Sequence, residues 1–197
     1  DLSSAAYFMV AGAIVPGSDI LIKDVGVNPT RTGILEVLHR MGALVEVTNE
    51  RILANEPRAD IKITFTGKLK RIEMSGSLIP RIIDEIPVIA VLASQAEGTS
   101  IISDAKELRV KESDRIATVA EELRKFGVRI EEKADGMVIH GKPGGLKAAN
   151  APITSHGDHR IAMSMAVAGL VADGETVIED TECIGTSFPG FAELVKG

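Results

Sequence analysis

The chain has 197 residues and a formal net charge of −6 at pH 7. This length suits one good hydrophobic core, and we predict a single globular domain over residues 1–197. The acidic balance argues against a general nucleic-acid binder but is compatible with a local cationic pocket. Hydrophobic residues make up 45% of the chain and aromatic residues only 3%, so aliphatic side chains must form the core.

The cysteine content and the apolar runs limit the protein class further. The single cysteine, Cys183, permits no internal disulfide and no cysteine-based metal centre. The apolar run at residues 161–171 is too short for a bilayer span, which needs about 20 apolar residues. No leader peptide is visible at Asp1-Leu2-Ser3-Ser4. We expect a cytoplasmic protein that binds no metal, no nucleic acid and no membrane.

The first part of the chain predicts a buried helix followed by mixed elements. Residues 1–17 form a helix that is apolar almost all round, which must therefore be buried. Residues 30–41 have an apolar stripe at helical spacing, and Gly42 ends that helix. Alternating apolar residues predict strands on either side of it. These predicted strands cover residues 18–25, 44–47, 52–54, 61–65 and 69–74.

The same order of elements restarts twice. A second apolar helix begins at Asp84 and stops at Gly98, and a third begins at Asp158. In the second copy, the apolar helix is followed by a strand, a charged stretch, an amphipathic helix and two more strands. The predicted elements are strands at residues 99–102, 128–131, 137–140 and 176–178, and helices ending at Phe126 and Val195.

Starts near residues 1, 84 and 158 indicate three internal repeats with pseudo-threefold order. Because the first helix of each copy is apolar all round, we predict that the three pack together inside an inside-out α/β (α+β) fold, with sheets and amphipathic helices outside. Asp1, Asp84 and Asp158 then lie at equivalent helix starts, whose positive ends face one side. That side is the expected anion site.

The charged stretch from Glu107 to Arg115 is the best lead to function. Ser113 or Asp114 can cap the following helix, which places Lys111 and Glu112 around a helix N-terminus that attracts anions. A carboxylate among cations suggests acid/base chemistry on an anionic substrate. The alternative is a solvated charged loop before a surface helix.

Six ordered segments resemble the 5-enolpyruvylshikimate-3-phosphate synthase family across the whole chain. The most specific are Arg109-Val110-Lys111-Glu112-Ser113-Asp114-Arg115 and Gly157-Asp158-His159-Arg160-Ile161-Ala162-Met163, and the others are Asp1 to Phe8, Asn28 to Gly33, Ile83 to Pro87 and Thr186 to Pro189. The resemblance implies one of two domains, each made from three βαβαββ units with buried parallel helices and mixed four-stranded sheets. This chain is similar to the C-terminal domain.

The resemblance also implies an activity and its partners. The enolpyruvyl group of phosphoenolpyruvate is transferred to the 5-hydroxyl of shikimate 3-phosphate and phosphate is released, a step of the shikimate pathway of aromatic amino acid biosynthesis that needs no metal and no organic cofactor. The other wall of the cleft belongs to the N-terminal domain, so this chain is predicted to be inactive alone. The alternatives are a non-catalytic module of the same fold and a UDP-N-acetylglucosamine enolpyruvyl transferase.

Residue roles follow from the matching motifs. Asp84 matches the proton acceptor at the shikimate hydroxyls, although the sequence alone favours a helix cap. Glu112 matches the acid that exchanges a proton with the enolpyruvyl group, and Lys111 a residue of the shikimate phosphate site. Arg115 and Arg160 match cations that grip phosphoenolpyruvate. His159 is either an added donor beside them or a capping or structural histidine. Arg31 and Arg109 are left out of the predicted site, because an arginine in a charged loop is usually solvated or in a weak surface pair.

Two positions depart from the pattern of some family members. Thr186 replaces a lysine that contacts phosphoenolpyruvate in those members, and Glu107 replaces an asparagine. In both positions this sequence resembles the branch of the family often described as class II. They leave those two contacts in doubt without affecting the implied activity.

Overall fold

The computed structural model describes residues 1–196. The helices are α1 (Leu2–Ile14), α2 (Gly33–Arg40), α3 (Ile79–Ile82), α4 (Ile86–Ser94), α5 (Arg115–Lys125), α6 (His159–Gly169) and α7 (Phe191–Lys196). The strands are β1 (Asp19–Gly26), β2 (Leu44–Leu53), β3 (Glu56–Thr64), β4 (Glu73–Met74), β5 (Gly98–Ile102), β6 (Arg129–Lys133), β7 (Gly136–Gly141), β8 (Ile153–Thr154) and β9 (Ile178–Glu179). Short 3-10 helices cover Gly76–Leu78, Lys106–Val110 and Thr181–Thr186.

Helices α1, α4 and α6 pack together in the centre of the fold. All nine residues of α4 are buried, as its lack of a polar face requires. The N-terminal ends meet, because Ser3 of α1 hydrogen-bonds Glu85 before α4, and Arg160 of α6 donates to the Asp84 carbonyl at 3.3 Å. The opposite ends together line a cavity of about 430 Å³. The three helices are therefore parallel, and the predicted inside-out arrangement is confirmed.

Three sheets surround these helices. The first is antiparallel with order β1-β3-β2, and the second has order β4-β5-β7-β6 with β4 and β5 parallel. Strands β8 and β9 form a parallel pair. The second sheet is the predicted mixed four-stranded sheet, whereas the described residues supply three strands to the first sheet and two to the third. Strand β4 comes at the end of the first repeat in sequence, but it pairs with β5 of the second repeat, and helix α4 connects the two strands.

Several boundaries differ from the prediction for local reasons. The two strands predicted at residues 44–47 and 52–54 are one strand, β2, with a register shift between Thr48 and Arg51. Asn49 lies there with φ 52°, a left-handed conformation that asparagine tolerates. The alternation is broken by this bulge, so the sequence pattern reads it as two strands.

The helices are short for their apolar content. The longest is α1 with 13 residues. Within residues 1–196 no helix combines the length and the apolar character that a membrane crossing requires. The apolar helices instead bury their side chains against one another and against the sheets.

We predict that Gly141→Ala destabilises the fold, because β7 passes close to the end of the central helix α4. A Cβ at Gly141 would lie 2.2 Å from the Ala96 carbonyl oxygen and 2.4 Å from that of Ala93. Relieving this overlap requires backbone movement, which we expect to cost about 3 kcal/mol of unfolding free energy. Urea unfolding measures it, with the exposed Gly185→Ala as control, since nothing lies within 4 Å of its added Cβ. Equal stability of the two variants would contradict this packing.

Candidate functional site

Two of the three central helices begin with an aspartate cap, as predicted. Asp1 accepts a hydrogen bond from the Ser3 amide at 3.0 Å, and Asp158 accepts one from the Arg160 amide at 2.9 Å. Asp84 does not have this role. Helix α4 begins two residues later, at Ile86, with a proline in its first turn, a position that suits a residue without an N–H. The predicted helix start at Asp84 was therefore wrong, and its carboxylate contacts side chains instead.

Arg115 is the buried centre of the site. Its side chain is 1% exposed, and its guanidinium donates to Asp158 at 2.8 and 3.2 Å. It also donates to Glu112 at 2.6 Å and to Asp84 at 3.3 Å. Burial raises the pKa of Asp158, but the hydrogen bonds and charge of Arg115 outweigh it and hold this pKa below the usual 3.8. Three carboxylates thus compensate one buried cation.

Asp84 contacts two more cations. Arg160 places Nη2 3.7 Å from Asp84 Oδ2, and Lys111 places Nζ 3.8 Å from Oδ1. Lys111 also pairs with Glu107 at 2.9 Å. The carboxylate of Asp84 is partly open to solvent and is surrounded by positive charge from α5, α6 and the preceding loop. Asp84 is thus the carboxylate on which the charges of Lys111, Arg115 and Arg160 converge.

The loop that carries Lys111 and Glu112 is held at both ends. Asp114 caps α5 by accepting from the Ala117 amide at 3.1 Å. Arg109 donates to Asp114 at 2.9 Å and to Glu132 of β6 at 2.7 Å. The sequence analysis left Arg109 outside the site, as a solvated cation or a member of a surface pair. Arg109 does form surface ion pairs, and they fasten the loop to the β6–β7 hairpin.

Three buried polar side chains beside the site were absent from the predicted set. Burial raises the pKa of Glu85 despite the hydrogen bond that Ser3 donates to it, and burial raises the pKa of Tyr7 to about 12 although Arg160 lies nearby. Ser3 and Tyr7 occur in a predominantly apolar run, so periodicity gave no signal for them. His159 is half-buried, and burial followed by the charge of Arg160 lowers its pKa, which leaves the ring neutral at pH 7.

The structure brings five of the predicted site residues into one connected network, whose members are Asp84, Lys111, Glu112, Arg115 and Arg160. His159 lies beside Arg160 on α6, and its ring makes no hydrogen bond within the described part of the chain. Asp158 was quoted as part of a motif and read as a cap. It serves both as cap and as the partner of Arg115.

A second polar group lies away from this network. Glu121, Glu122 and His156 place one potential ligand atom each within 4.8 Å of one another. The ammonium of Lys125 already lies 3.0 and 2.8 Å from the two oxygens of buried Glu122. The amide of Thr154 donates to the same carboxylate at 3.1 Å. We interpret this group as a structural tie between α5 and β8, with lysine as the counter-charge.

The fold of this chain occurs in solved structures. The chain superimposes along its whole length on 45% of EPSP synthase from Acinetobacter baumannii, with a TM-score of 0.94 and 47% identity. The enolpyruvyl transferase NikO from Streptomyces tendae matches with a TM-score of 0.77 at 19% identity, which shows the shared fold. The architecture is therefore that of the enolpyruvyl transferases.

Sequence comparison identifies the branch. A family profile described as EPSP synthase (3-phosphoshikimate 1-carboxyvinyltransferase) matches residues 1–195. Two curated relatives of that name, from Desulforamulus reducens and Geobacter sp. strain M21, are 56% and 57% identical over the whole chain. The chain belongs to the EPSP synthase family. It spans 45% of the length of each of these relatives.

We predict that Asp158→Asn destabilises the chain by about 3 kcal/mol, because it leaves the Arg115 guanidinium buried without its one fully buried carboxylate partner among the described residues. The folded-state pKa of Asp158 lies below its unfolded value of about 3.8. Its contribution is therefore fully present above that pH and is lost as the pH falls through the lower folded-state value.

Urea unfolding of both proteins between pH 7 and pH 2.5 measures this difference. The gap between wild type and Asp158→Asn should be constant above about pH 5 and should narrow below the pKa of a free aspartate. Asp173→Asn, an aspartate outside the ion-pair network, is the control. A pH-independent gap would contradict the assignment.

Proposed function

We propose that this chain forms one wall of the site in which the enolpyruvyl group of phosphoenolpyruvate is transferred to the 5-hydroxyl of shikimate 3-phosphate. The observation that carries the proposal is Asp84, a partly open carboxylate in contact with Lys111, Arg115 and Arg160 at the N-termini of the central helices. Both substrates are phosphate- and carboxylate-bearing anions. Guanidinium groups and helix N-termini are the features that bind such groups.

The chemistry assigns a task to each carboxylate. Asp84 accepts the proton of the 5-hydroxyl as its oxygen bonds to the central carbon of the enolpyruvyl group. Glu112 delivers a proton to the methylene carbon, which becomes a methyl group. When the bond to phosphate breaks, a proton leaves the methyl carbon and restores the double bond. Glu112 then recovers the proton that it supplied. Phosphate departs with its bridging oxygen and takes up the proton that Asp84 accepted, so both carboxylates return to their starting state.

The cations divide between the two substrates in this proposal. Lys111 faces the phosphate of shikimate 3-phosphate, while Arg115 and Arg160 face phosphoenolpyruvate, with His159 as an added donor. Arg115 is already paired with three carboxylates, so its charge acts on the substrate largely through the field of the whole network. No metal and no organic cofactor is needed for these steps.

The proposal requires a second wall. The chain matches less than half of its relatives' length, and we propose that the N-terminal domain of the same enzyme closes over the substrates in the cytoplasm. Closure would exclude water and add cations to those of this chain. The isolated chain is expected to bind substrates weakly and to be inactive.

Binding by the isolated chain tests the proposal first. Titration with shikimate 3-phosphate, followed by chemical shifts or heat, should give a response that Asp84→Asn and Lys111→Ala each weaken at least tenfold. Asp84→Asn removes the charged acceptor for the substrate hydroxyl, and Lys111→Ala removes the cation that faces the phosphate. Lys68→Ala, at the opposite end of the central helices, should bind as the wild type does. No wild-type response at millimolar ligand would favour a non-catalytic module of the same fold.

Complementation tests the catalytic step. Mixing the chain with the missing domain should restore turnover, and Glu112→Gln in that mixture should reduce it about 10²- to 10⁴-fold while substrate affinity stays nearly unchanged. Exchange of solvent deuterium into the methylene group of phosphoenolpyruvate should fall in parallel. Glu121→Gln, which changes an exposed carboxylate farther along α5, is the control. If the mixture associates but stays inert, while the full-length enzyme works, the two-wall proposal fails.

A further inference from the structure

We propose that Arg31 is a further anion-binding residue of this site, oriented by a buried Ser3–Glu85 pair, and that it binds a phosphate or carboxylate group of a substrate. This inference rests on the proposed function. Arg31 lies in the loop between β1 and α2, and its Nη2 donates to Ser3 Oγ at 3.5 Å. Ser3 in turn donates to Glu85, the residue next to Asp84.

The topology places Arg31 in the same kind of loop as Lys111. In each case a strand follows a central helix, and the loop after that strand returns to the N-termini of the central helices. The β5–α5 loop brings Lys111 to 3.8 Å from Asp84, and the β1–α2 loop brings Arg31 to the first turn of α1. The equivalent loop after β9, residues 180–190, contains no lysine or arginine.

The conformation of the Arg31 loop is fixed by its own hydrogen bonds. Asn28 Oδ1 accepts from the Thr30 amide at 3.0 Å and from the Thr30 hydroxyl at 2.9 Å, and the Arg31 amide donates to the Asn28 carbonyl at 2.9 Å. Thr32 donates to the Pro29 carbonyl at 3.2 Å. A loop closed in this way holds the arginine backbone in one place before any anion binds.

The support beneath Arg31 is buried. Ser3 and Glu85 are each 6% exposed, so the hydroxyl that contacts Arg31 cannot be replaced by water without disturbing the helix packing. Arg31 as a whole is an exposed residue, although its contact with Ser3 is partly buried. A rigid, buried support for an exposed cation is an arrangement that selects one direction for the planar guanidinium.

Charge balance explains why such a cation is needed. Lys111, Arg115 and Arg160 are all paired with carboxylates of Asp84, Glu107, Glu112 and Asp158. An anion that approaches them must compete with these carboxylates. Arg31 lines a surface depression of about 280 Å³, and Asp1 and Glu56 line the same depression. Arg31 forms no ion pair with either of them or with any other described side chain. It can therefore pair with an incoming anion.

Separate titrations of the full chain with inorganic phosphate, phosphoenolpyruvate and shikimate 3-phosphate test the inference. Arg31→Gln should weaken binding of at least one of the two substrates about tenfold, the size of one charge-assisted contact, and the three titrations show which anionic group it takes. Arg129→Gln, an exposed arginine on β6, should leave all affinities unchanged. Because Arg31 is exposed, the Arg31→Gln variant should fold as the wild type does. Far-ultraviolet circular dichroism of both proteins checks this.

A double-variant comparison tests the role of the support. Ser3→Ala should weaken binding about threefold, and adding it to Arg31→Gln should cause no further loss, since Ser3 acts through Arg31. Additive losses would overturn that part of the inference. If wild type, Arg31→Gln and Arg129→Gln bind equally, while Asp84→Asn binds more weakly, the Arg31 site alone is overturned. If the wild type binds none of the three anions, the proposed function fails and this inference fails with it.

Discussion

The buried Arg115 guanidinium is the constraint on which the site depends. A cation that is 1% exposed is tolerated only where carboxylates and hydrogen bonds compensate for its lost hydration. Its partners come from three places in the chain: Asp158 at the start of α6, Glu112 before α5 and Asp84 before α4. The packing of the core helices therefore also brings these three carboxylates together around Arg115. Arg115 connects the second and third repeats at the N-terminal ends of the central helices.

The apolar helices explain why polar chemistry is confined to one face. Helices α1, α4 and α6 have almost no polar side chains along their length, so charged groups can occur only at their ends. At the C-terminal ends the surrounding residues are mainly apolar and enclose a cavity. At the N-terminal ends free N–H groups and the helix dipoles favour carboxylates and bound anions. The inside-out arrangement thus determines the location of the site before any single catalytic residue is considered.

The sequence predicted those features that depend on local pattern. The three apolar helices, the amphipathic α5 and the Asp114 cap follow from periodicity and capping, and five site residues meet as the motifs implied. Features set by tertiary contact were not predictable. Strand β4 pairs with β5, which belongs to the next repeat. The bulge at Asn49 joins two predicted strands into one, and the Ser3–Glu85 hydrogen bond joins residues 82 positions apart. No periodic signal in one segment encodes such a partner, because the partner lies in another segment.

The electrostatics of one wall also limit what it can do alone. Within the described residues the cations of the network face a similar number of carboxylates, so the local field that an anion meets is weak compared with that of an unpaired cation cluster. The side chain of Asp84 is 28% exposed, and water reaches the same groups that a substrate would contact. In the proposed two-wall site both conditions change, because closure would remove this water and lower the effective dielectric constant around each ion pair. Under that proposal, the carboxylates that compensate Arg115 would also present fixed charges to the substrate, in an environment where electrostatic interactions are stronger than in water.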